Sequence, residues 1–102
     1  RGPVPTAIFA GNDNIAIGIY KALNEKRLHI PRDVSVVGFD DIPLAEHLLP
    51  SLTTLHTRWT EIGRRSGDII ERYFLTRKPP VIQEEVDVSL VVRESTGNPK
   101  KP

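Results

Sequence analysis

The sequence lacks two residue types entirely, since none of its 102 residues is cysteine or methionine. Without cysteine the chain can form neither a disulfide nor a thiolate metal site, which is compatible with a reducing cytosol. The chain also begins "RGPVPTAIFAG" and has no initiating methionine. We therefore expect it to be a piece of a larger protein.

Long hydrophobic runs and a strong excess of one charge are also missing. The composition is 38% hydrophobic and 26% charged, so neither a membrane span nor disorder is indicated. The net charge is only +1 and is spread along the chain, so no nucleic-acid-binding patch is indicated. Any DNA contact is expected to lie outside these residues, which are enough for one small domain.

The first half of the chain has the pattern of a β-α-β unit. The apolar run "TAIFA" at 6–10 predicts a buried strand that ends at a glycine. Ile15, Ile19 and Leu23 then recur at helical spacing and predict an amphipathic helix. The nearly continuous apolar run "VSVVGF" at 34–39 is typical of a parallel strand covered on both faces.

The second half continues the alternation of strands and helices. It predicts a short helix at 43–49, a strand at 52–57, a longer helix at 58–75 and a return strand within 81–95. The fold class is therefore α/β, with a parallel sheet flanked by helices. Two substantial helices cannot cover both faces of such a sheet, so the fold is incomplete unless the chain oligomerises or belongs to a larger protein.

Polar residues follow the first two strands at their carboxyl ends, where open α/β sheets bind ligands. Asn12 and Asp13 follow the first strand, and Asp40 and Asp41 follow the second. Carboxylates and amides suit a polar or polyhydroxylated small molecule. Helix capping or turn formation is the alternative for each of them, so the residues alone leave both roles open.

Two aromatic residues have the same ambiguity. Trp59, the single tryptophan, stands at the start of the long helix, and Phe39 stands directly before Asp40. Each can pack in the core or present a flat face to a ligand.

Catalytic motifs are poorly represented. The histidines His29, His47 and His56 lack metal-ligand spacing, and "FAGNDN" is neither a Walker loop nor a dinucleotide fingerprint. Ser51 and Ser66 have no nucleophile-elbow context. We therefore predict that the chain is not an enzyme and holds neither a metal nor a cofactor.

Two charge patterns have competing interpretations. The adjacent acids Asp40 and Asp41 could accept a phosphoryl group, as in receiver domains, but the expected lysine and strand positions are lacking. Arg58, Arg65 and Arg72 share a helix face, which could suggest phosphate binding. Acids interleaved at pairing distance favour a solvated ion-pair face instead.

Three blocks of sequence carry a family resemblance. "PTAIFAGNDNIAIGIYKAL", "IPRDVSVVGFDDIPLAEHLLPSLTTL" and "VSLVVRESTG" resemble, in order and spacing, the carboxyl-terminal part of the lactose/galactose-repressor (LacI/GalR) transcription regulators. The resemblance implies a core like a type I periplasmic binding protein, with two lobes and an effector between them. It assigns 5–57 to the carboxyl-terminal lobe, 58–78 to a crossover helix of the amino-terminal lobe, and 81–95 to a return strand.

The resemblance also implies which residues bind the effector. Asn12 and Asp40 match positions that hydrogen-bond it, Phe39 would line the cleft, and Trp59 matches a position where an aromatic residue can face the ligand. Thr57 stands where the family often has glutamine, which suggests a different effector or a larger cavity. The effector is expected to be a sugar or a nucleoside-like compound.

The resemblance finally implies partners. Ile17, Leu44 and Leu48 match surfaces used for dimerisation, although local packing is the alternative for them. A homodimer would bind operator DNA through a helix-turn-helix headpiece outside these residues, in the cytoplasm and without a membrane contact. A sugar-binding protein of a transport system, which has the same fold, is the alternative function.

Overall fold

The structure is a computed structural model that describes residues 2–79 and 83–101. The chain divides into two compact units, one formed by Arg1–His56 with Ser89–Pro102 and the other by Thr57–Val88. The elements are β1 (Ala7–Phe9), α1 (Asp13–Glu25), β2 (Ser35–Val37), a 3₁₀ helix (Pro43–His47), β3 (Thr54–His56), α2 (Trp59–Thr76) and β4 (Ser89–Val91).

The sheet of the first unit is built mainly from parallel neighbours. β1 pairs with β2 in parallel, and parallel bridges join Val37 to Thr53 and Asp40 to His56, which places β3 beside β2. β4 is antiparallel to β3. The predicted parallel α/β arrangement is therefore confirmed, with an antiparallel strand at one edge.

Every predicted element is present, although most are shorter than predicted. The return strand expected within 81–95 is a three-residue strand, Ser89–Val91, and positions 81 and 82 lie outside the described residues. The short helix at 43–49 is a 3₁₀ helix with Pro43 in its first turn. Backbone hydrogen bonds continue beside β1 and β2: the Ala10 amide donates to the Val37 carbonyl at 2.8 Å, and the Ser35 amide donates to the Thr6 carbonyl at 2.9 Å.

The core of the first unit lies between α1 and the sheet. α1 buries Ala16 and Leu23, whereas Ile15 is 51% exposed. Ile19 and Leu23 of the predicted stripe therefore face the core, and only Ile15 departs from the prediction. The core cluster consists of Ala10, Ala16, Leu23, Val34, Val36, Ala45 and Leu52.

Asp13 is a fully buried carboxylate at the centre of this unit. Its Oδ1 accepts a hydrogen bond of 2.6 Å from the Thr54 hydroxyl, and its Oδ2 accepts one of 2.9 Å from the Ile42 amide. Its own amide donates to the Phe39 carbonyl at 3.0 Å. Because a buried polar group without partners is costly, these contacts hold the ends of three chain segments at fixed positions.

Gly38 allows this approach because it has no side chain. A Cβ at this position would overlap the Asp13 carboxylate and lie 2.9 Å from Cδ2 of Leu52. The glycine in "VVGFDD" is thus required by packing against Asp13.

Ser95 joins β2 to the segment that leads into β3. Its hydroxyl donates to the Val36 carbonyl at 2.6 Å and accepts from the Thr53 amide at 2.8 Å. The Val36 amide donates to the Ser95 carbonyl at 3.0 Å. The segment after β4 therefore connects β2 to the residue before β3 through the hydrogen bonds of Ser95.

The second unit consists mainly of α2. No residue of this helix is buried, and Arg77 ends it in the left-handed conformation, with its amide donating to the Tyr73 carbonyl at 2.8 Å. Glu61 pairs with Arg65 at 2.9 Å. Within the described ranges, neither helix is both long and apolar enough to cross a membrane.

We predict that Asp13→Asn lowers the free energy of unfolding by about 1–3 kcal/mol. The carboxylate now accepts two hydrogen bonds, and in the variant an amide nitrogen would face one of the two donor groups. Asp68→Asn is the control: Asp68 is an exposed acid that pairs with Arg64 at 3.3 Å on α2, and it should change stability by no more than about 0.5 kcal/mol. Urea unfolding of the full-length variants measures both. Equal effects would show that Asp13 does not hold the unit together.

Candidate functional site

Asn12 lies where β1 passes into α1, and it caps that helix. Its side-chain oxygen accepts a hydrogen bond of 2.8 Å from the Ile15 amide. The cap is therefore Asn12 and not Asp13, which settles the capping alternative for these two residues. The side chain is half-buried and its amide nitrogen remains a donor, so capping does not prevent Asn12 from binding a ligand.

Asp40 follows β2 in an unusual backbone conformation. Its φ is 120° and that of Asp41 is 61°, so two consecutive residues with side chains occupy the region that favours glycine. The Asp40 amide donates to the Leu55 carbonyl at 2.9 Å. Within residues 2–79 and 83–101, no group donates a hydrogen bond to its half-buried carboxylate.

Asp41 is held by two basic side chains. Arg93 Nη1 lies 2.8 Å from Asp41 Oδ1, and His56 Nδ1 lies 2.9 Å from Oδ2. Partial burial alone would raise the pKa of Asp41, but the hydrogen bonds and charges of Arg93 and His56 outweigh it and hold the pKa below its usual value. Asp41 is thus engaged within the protein, as the turn-forming interpretation expects.

Three carboxylates therefore meet at this edge in different states. Asp13 and Asp41 each accept two hydrogen bonds from the protein, and Asp40 accepts none from the described residues. Sequence reasoning placed Asp40 at the edge but did not find the partners of Asp13 and Asp41. Thr54 and Arg93 are far along the chain, and no local pattern marks them.

Three further predicted ligand residues differ in exposure. Phe39 is half-buried. In the second unit, Thr57 is only 6% exposed, and its hydroxyl has no hydrogen-bond partner among the described residues. Trp59 is 58% exposed and so is not packed in a core. Their roles towards a ligand stay predictions.

The residues predicted at a dimer interface are not equivalent. Leu44 is 48% exposed, Ile17 is half-buried, and Leu48 packs partly against the core. Local packing therefore accounts for part of Leu48. Dimerisation through these residues stays a prediction.

Each histidine lies beside a single acid. His29 approaches Asp33 at 3.5 Å, and His47 approaches Glu46 at 3.4 Å. In the described part of the chain, no three histidine or acidic side chains are grouped to hold a metal ion.

Comparison with known proteins identifies the class. The periplasmic binding protein-like domain family matches residues 1–96, and the chain belongs to this family. The ribose operon repressor of Escherichia coli K12 is 36% identical over 90 residues, which is 88% of this chain and 27% of that protein.

Solved structures place the chain beside particular members. A LacI family transcriptional regulator from Enterococcus faecium, solved with bound ribose, superposes with a TM-score of 0.84 at 31% identity, over 97% of this chain and 37% of that one. The lac repressor dimer bound to operator and the anti-inducer ONPF gives 0.81 at 35% identity, over 91% and 32%. These relatives confirm the LacI/GalR resemblance, and the chain spans between 27% and 37% of their length.

The lowered pKa of Asp41 predicts how stability depends on pH. A lowered native pKa adds stability above the unfolded-state pKa of about 3.9, and this stability is lost as pH falls through the native pKa. Asp41→Asn should cost about 1–2 kcal/mol near neutral pH, and its difference from wild type should shrink below about pH 4. Urea unfolding at several pH values measures it.

Asp68→Asn, whose carboxyl is exposed, is again the control and should show a small difference at every pH. A cost of Asp41→Asn that stays constant below about pH 4 would contradict the assignment of the ion pair.

Proposed function

We propose that the chain forms part of the effector-binding core of a LacI/GalR-type transcription regulator, with Asp40 as the carboxylate that binds the effector. The observation that carries the proposal is the contrast among the three acids at the edge of the sheet. The protein satisfies Asp13 and Asp41 and leaves Asp40 without a donor from the described residues. Since a carboxylate gains most from several donors, a ligand rich in hydroxyl groups suits Asp40.

Asn12 supports the same site. β1 and β2 are parallel neighbours, so Asn12 and Asp40 follow adjacent strands at the same edge of the sheet. The Asn12 amide would donate to a ligand oxygen while its carbonyl caps α1. Donor and acceptor side by side are the arrangement that recognises a hydroxyl group, which both donates and accepts.

Thr57 supports a polar ligand independently. A buried hydroxyl without a partner costs about 1–3 kcal/mol, so it requires an acceptor or donor that the described residues do not provide. We assign that partner to an effector hydroxyl, with Trp59 and Phe39 as apolar faces against the ligand.

We assign the effector to small sugars, with D-ribose as the first candidate. The Enterococcus faecium relative was solved with ribose, and the Escherichia coli relative is a ribose operon repressor. A nucleoside-like compound is the second candidate, because it presents the same ribose hydroxyls. The repressors among the relatives favour a regulator over a transport-type binding protein or a receiver domain.

The proposed mechanism is allosteric and requires no catalysis, cofactor or metal. Residues 5–57 would belong to one lobe, 58–78 would cross to the other and 81–95 would return, so that an effector between the lobes biases their orientation. A cytoplasmic homodimer, with Ile17, Leu44 and Leu48 at its interface, would transmit this change to operator DNA through a headpiece outside these residues.

Asp40→Asn in the full-length protein should lower the affinity for D-ribose at least about tenfold, because the substitution removes the charge of the acceptor but keeps its shape. Stability should change by no more than about 0.5 kcal/mol, since asparagine tolerates a positive φ. Isothermal titration calorimetry with ribose and with adenosine, and urea unfolding, measure the two effects.

Glu25→Gln is the matched control, since Glu25 is an exposed acid at the opposite end of α1 from Asn12. It should leave ribose affinity unchanged. Equal affinities for wild type and Asp40→Asn would remove Asp40 from the site, and tight binding of adenosine without ribose would replace the sugar assignment.

A further inference from the structure

We propose that His56, acting through Asp41, is a positioning residue for Asp40, so that the charge on His56 controls effector affinity. The inference rests on the proposed function for its ligand, but its structural basis lies within the first unit. His56 pairs with Asp40 across the sheet, and its side chain reaches the next residue, Asp41. His56 thus contacts Asp40 through the backbone and Asp41 through its side chain.

The backbone of this turn needs external support. Positive φ values at two consecutive non-glycine residues, Asp40 and Asp41, are unfavourable and persist only where neighbouring groups enforce them. On the other side of the turn, Ile42 donates its amide to the buried Asp13. Asp40 and Asp41 therefore lie between one support at Asp13 and another at β3.

The second support is the clamp on the Asp41 carboxylate. Arg93 is fixed independently, since its Nη1 donates to the Leu52 carbonyl at 3.0 Å and its amide donates to the Thr53 hydroxyl at 2.9 Å. Arg93 carries its charge at every physiological pH. His56 is the variable partner, because imidazoles change charge between about pH 5 and 8.

Protonated His56 must donate from Nδ1, so the 2.9 Å contact with Asp41 becomes a charge-assisted hydrogen bond. Neutral His56 loses that charge and can place its single proton on the other nitrogen, which would leave Nδ1 and the carboxylate as two acceptors facing each other. The turn is therefore more rigid when His56 is charged, and Asp40 is better positioned for a ligand.

The charged groups around the pair lie on the neighbouring segments. Asp40 is bridged to His56 across the sheet, Asp41 contacts the His56 side chain, and Arg93 holds the same Asp41 carboxylate. Glu46 lines a cavity of about 290 Å³ together with Asp41 and Arg93. From β4, the residue opposite His56 is Ser89, which is uncharged.

The experiment compares wild type with His56→Gln and His56→Lys in the full-length protein, between about pH 5.5 and 8. Ribose affinity of the wild type should fall about fivefold over this range. His56→Gln should bind about fivefold more weakly than wild type at the lower pH and show no pH dependence. His56→Lys, with a fixed positive charge, should bind ribose tightly at both ends of the pH range. A variant that had lost its fold could not give this result.

A ligand-free measurement separates this inference from the proposed function. Hydrogen–deuterium exchange of the peptide containing Asp40 and Ile42, corrected for the intrinsic rate at each pH, reports how firmly the turn is held. Protection should fall about fivefold from about pH 5.5 to 8 in wild type, stay low in His56→Gln and stay high in His56→Lys.

His29→Gln is the matched control, because His29 also lies beside one aspartate, Asp33, in the same unit. Its pH profiles should match those of wild type. Turn protection that is independent of pH in wild type, or unchanged in His56→Gln, would overturn the positioning role. If ribose fails to bind at any pH but turn protection follows the predicted profile, the sugar assignment falls and the clamp stands.

Discussion

The buried carboxylate of Asp13 is the constraint on which the rest of the first unit depends. It joins the start of α1 to Thr54 and to the turn after Asp41, through hydrogen bonds of 2.6 and 2.9 Å. Because a buried carboxylate must keep its donors, the start of α1, the turn after β2 and the first residue of β3 cannot move apart without leaving Asp13 unsatisfied. Gly38 is required for the same reason, since any side chain there would overlap Asp13.

With Asp13 fixed in this way, the three acids near the carboxyl ends of β1 and β2 have different roles. Asp13 holds the strands together, Asp41 is held by Arg93 and His56, and Asp40 lies between them with a strained backbone. An acid that binds a ligand must have a fixed position and must also keep its lone pairs for the ligand. Both conditions are met when Asp13 and Asp41 make the hydrogen bonds that fix the turn, because the Asp40 carboxylate then makes none of them.

The sequence was sufficient to predict the order of the elements and the position of Asp40, because strand ends and helix periodicity are local signals. It could not predict the partners of Asp13 and Asp41, which lie 15 or more positions away along the chain and depend on packing. The burial of α1 was predicted in part for a related reason. Ile19 and Leu23 face the core as their spacing indicates, whereas Ile15 is exposed and Ala16 is buried in its place.

A crystal structure of the full-length protein with D-ribose tests the role of Asp40 most directly. A carboxylate oxygen of Asp40 should lie about 2.5–3.0 Å from a ribose hydroxyl. Asp13 should keep its bonds to Thr54 and Ile42, and Asp41 should keep its bond to Arg93. Ribose bound to Asp13 or Asp41 in place of Asp40, or bound away from this edge of the sheet, would contradict it.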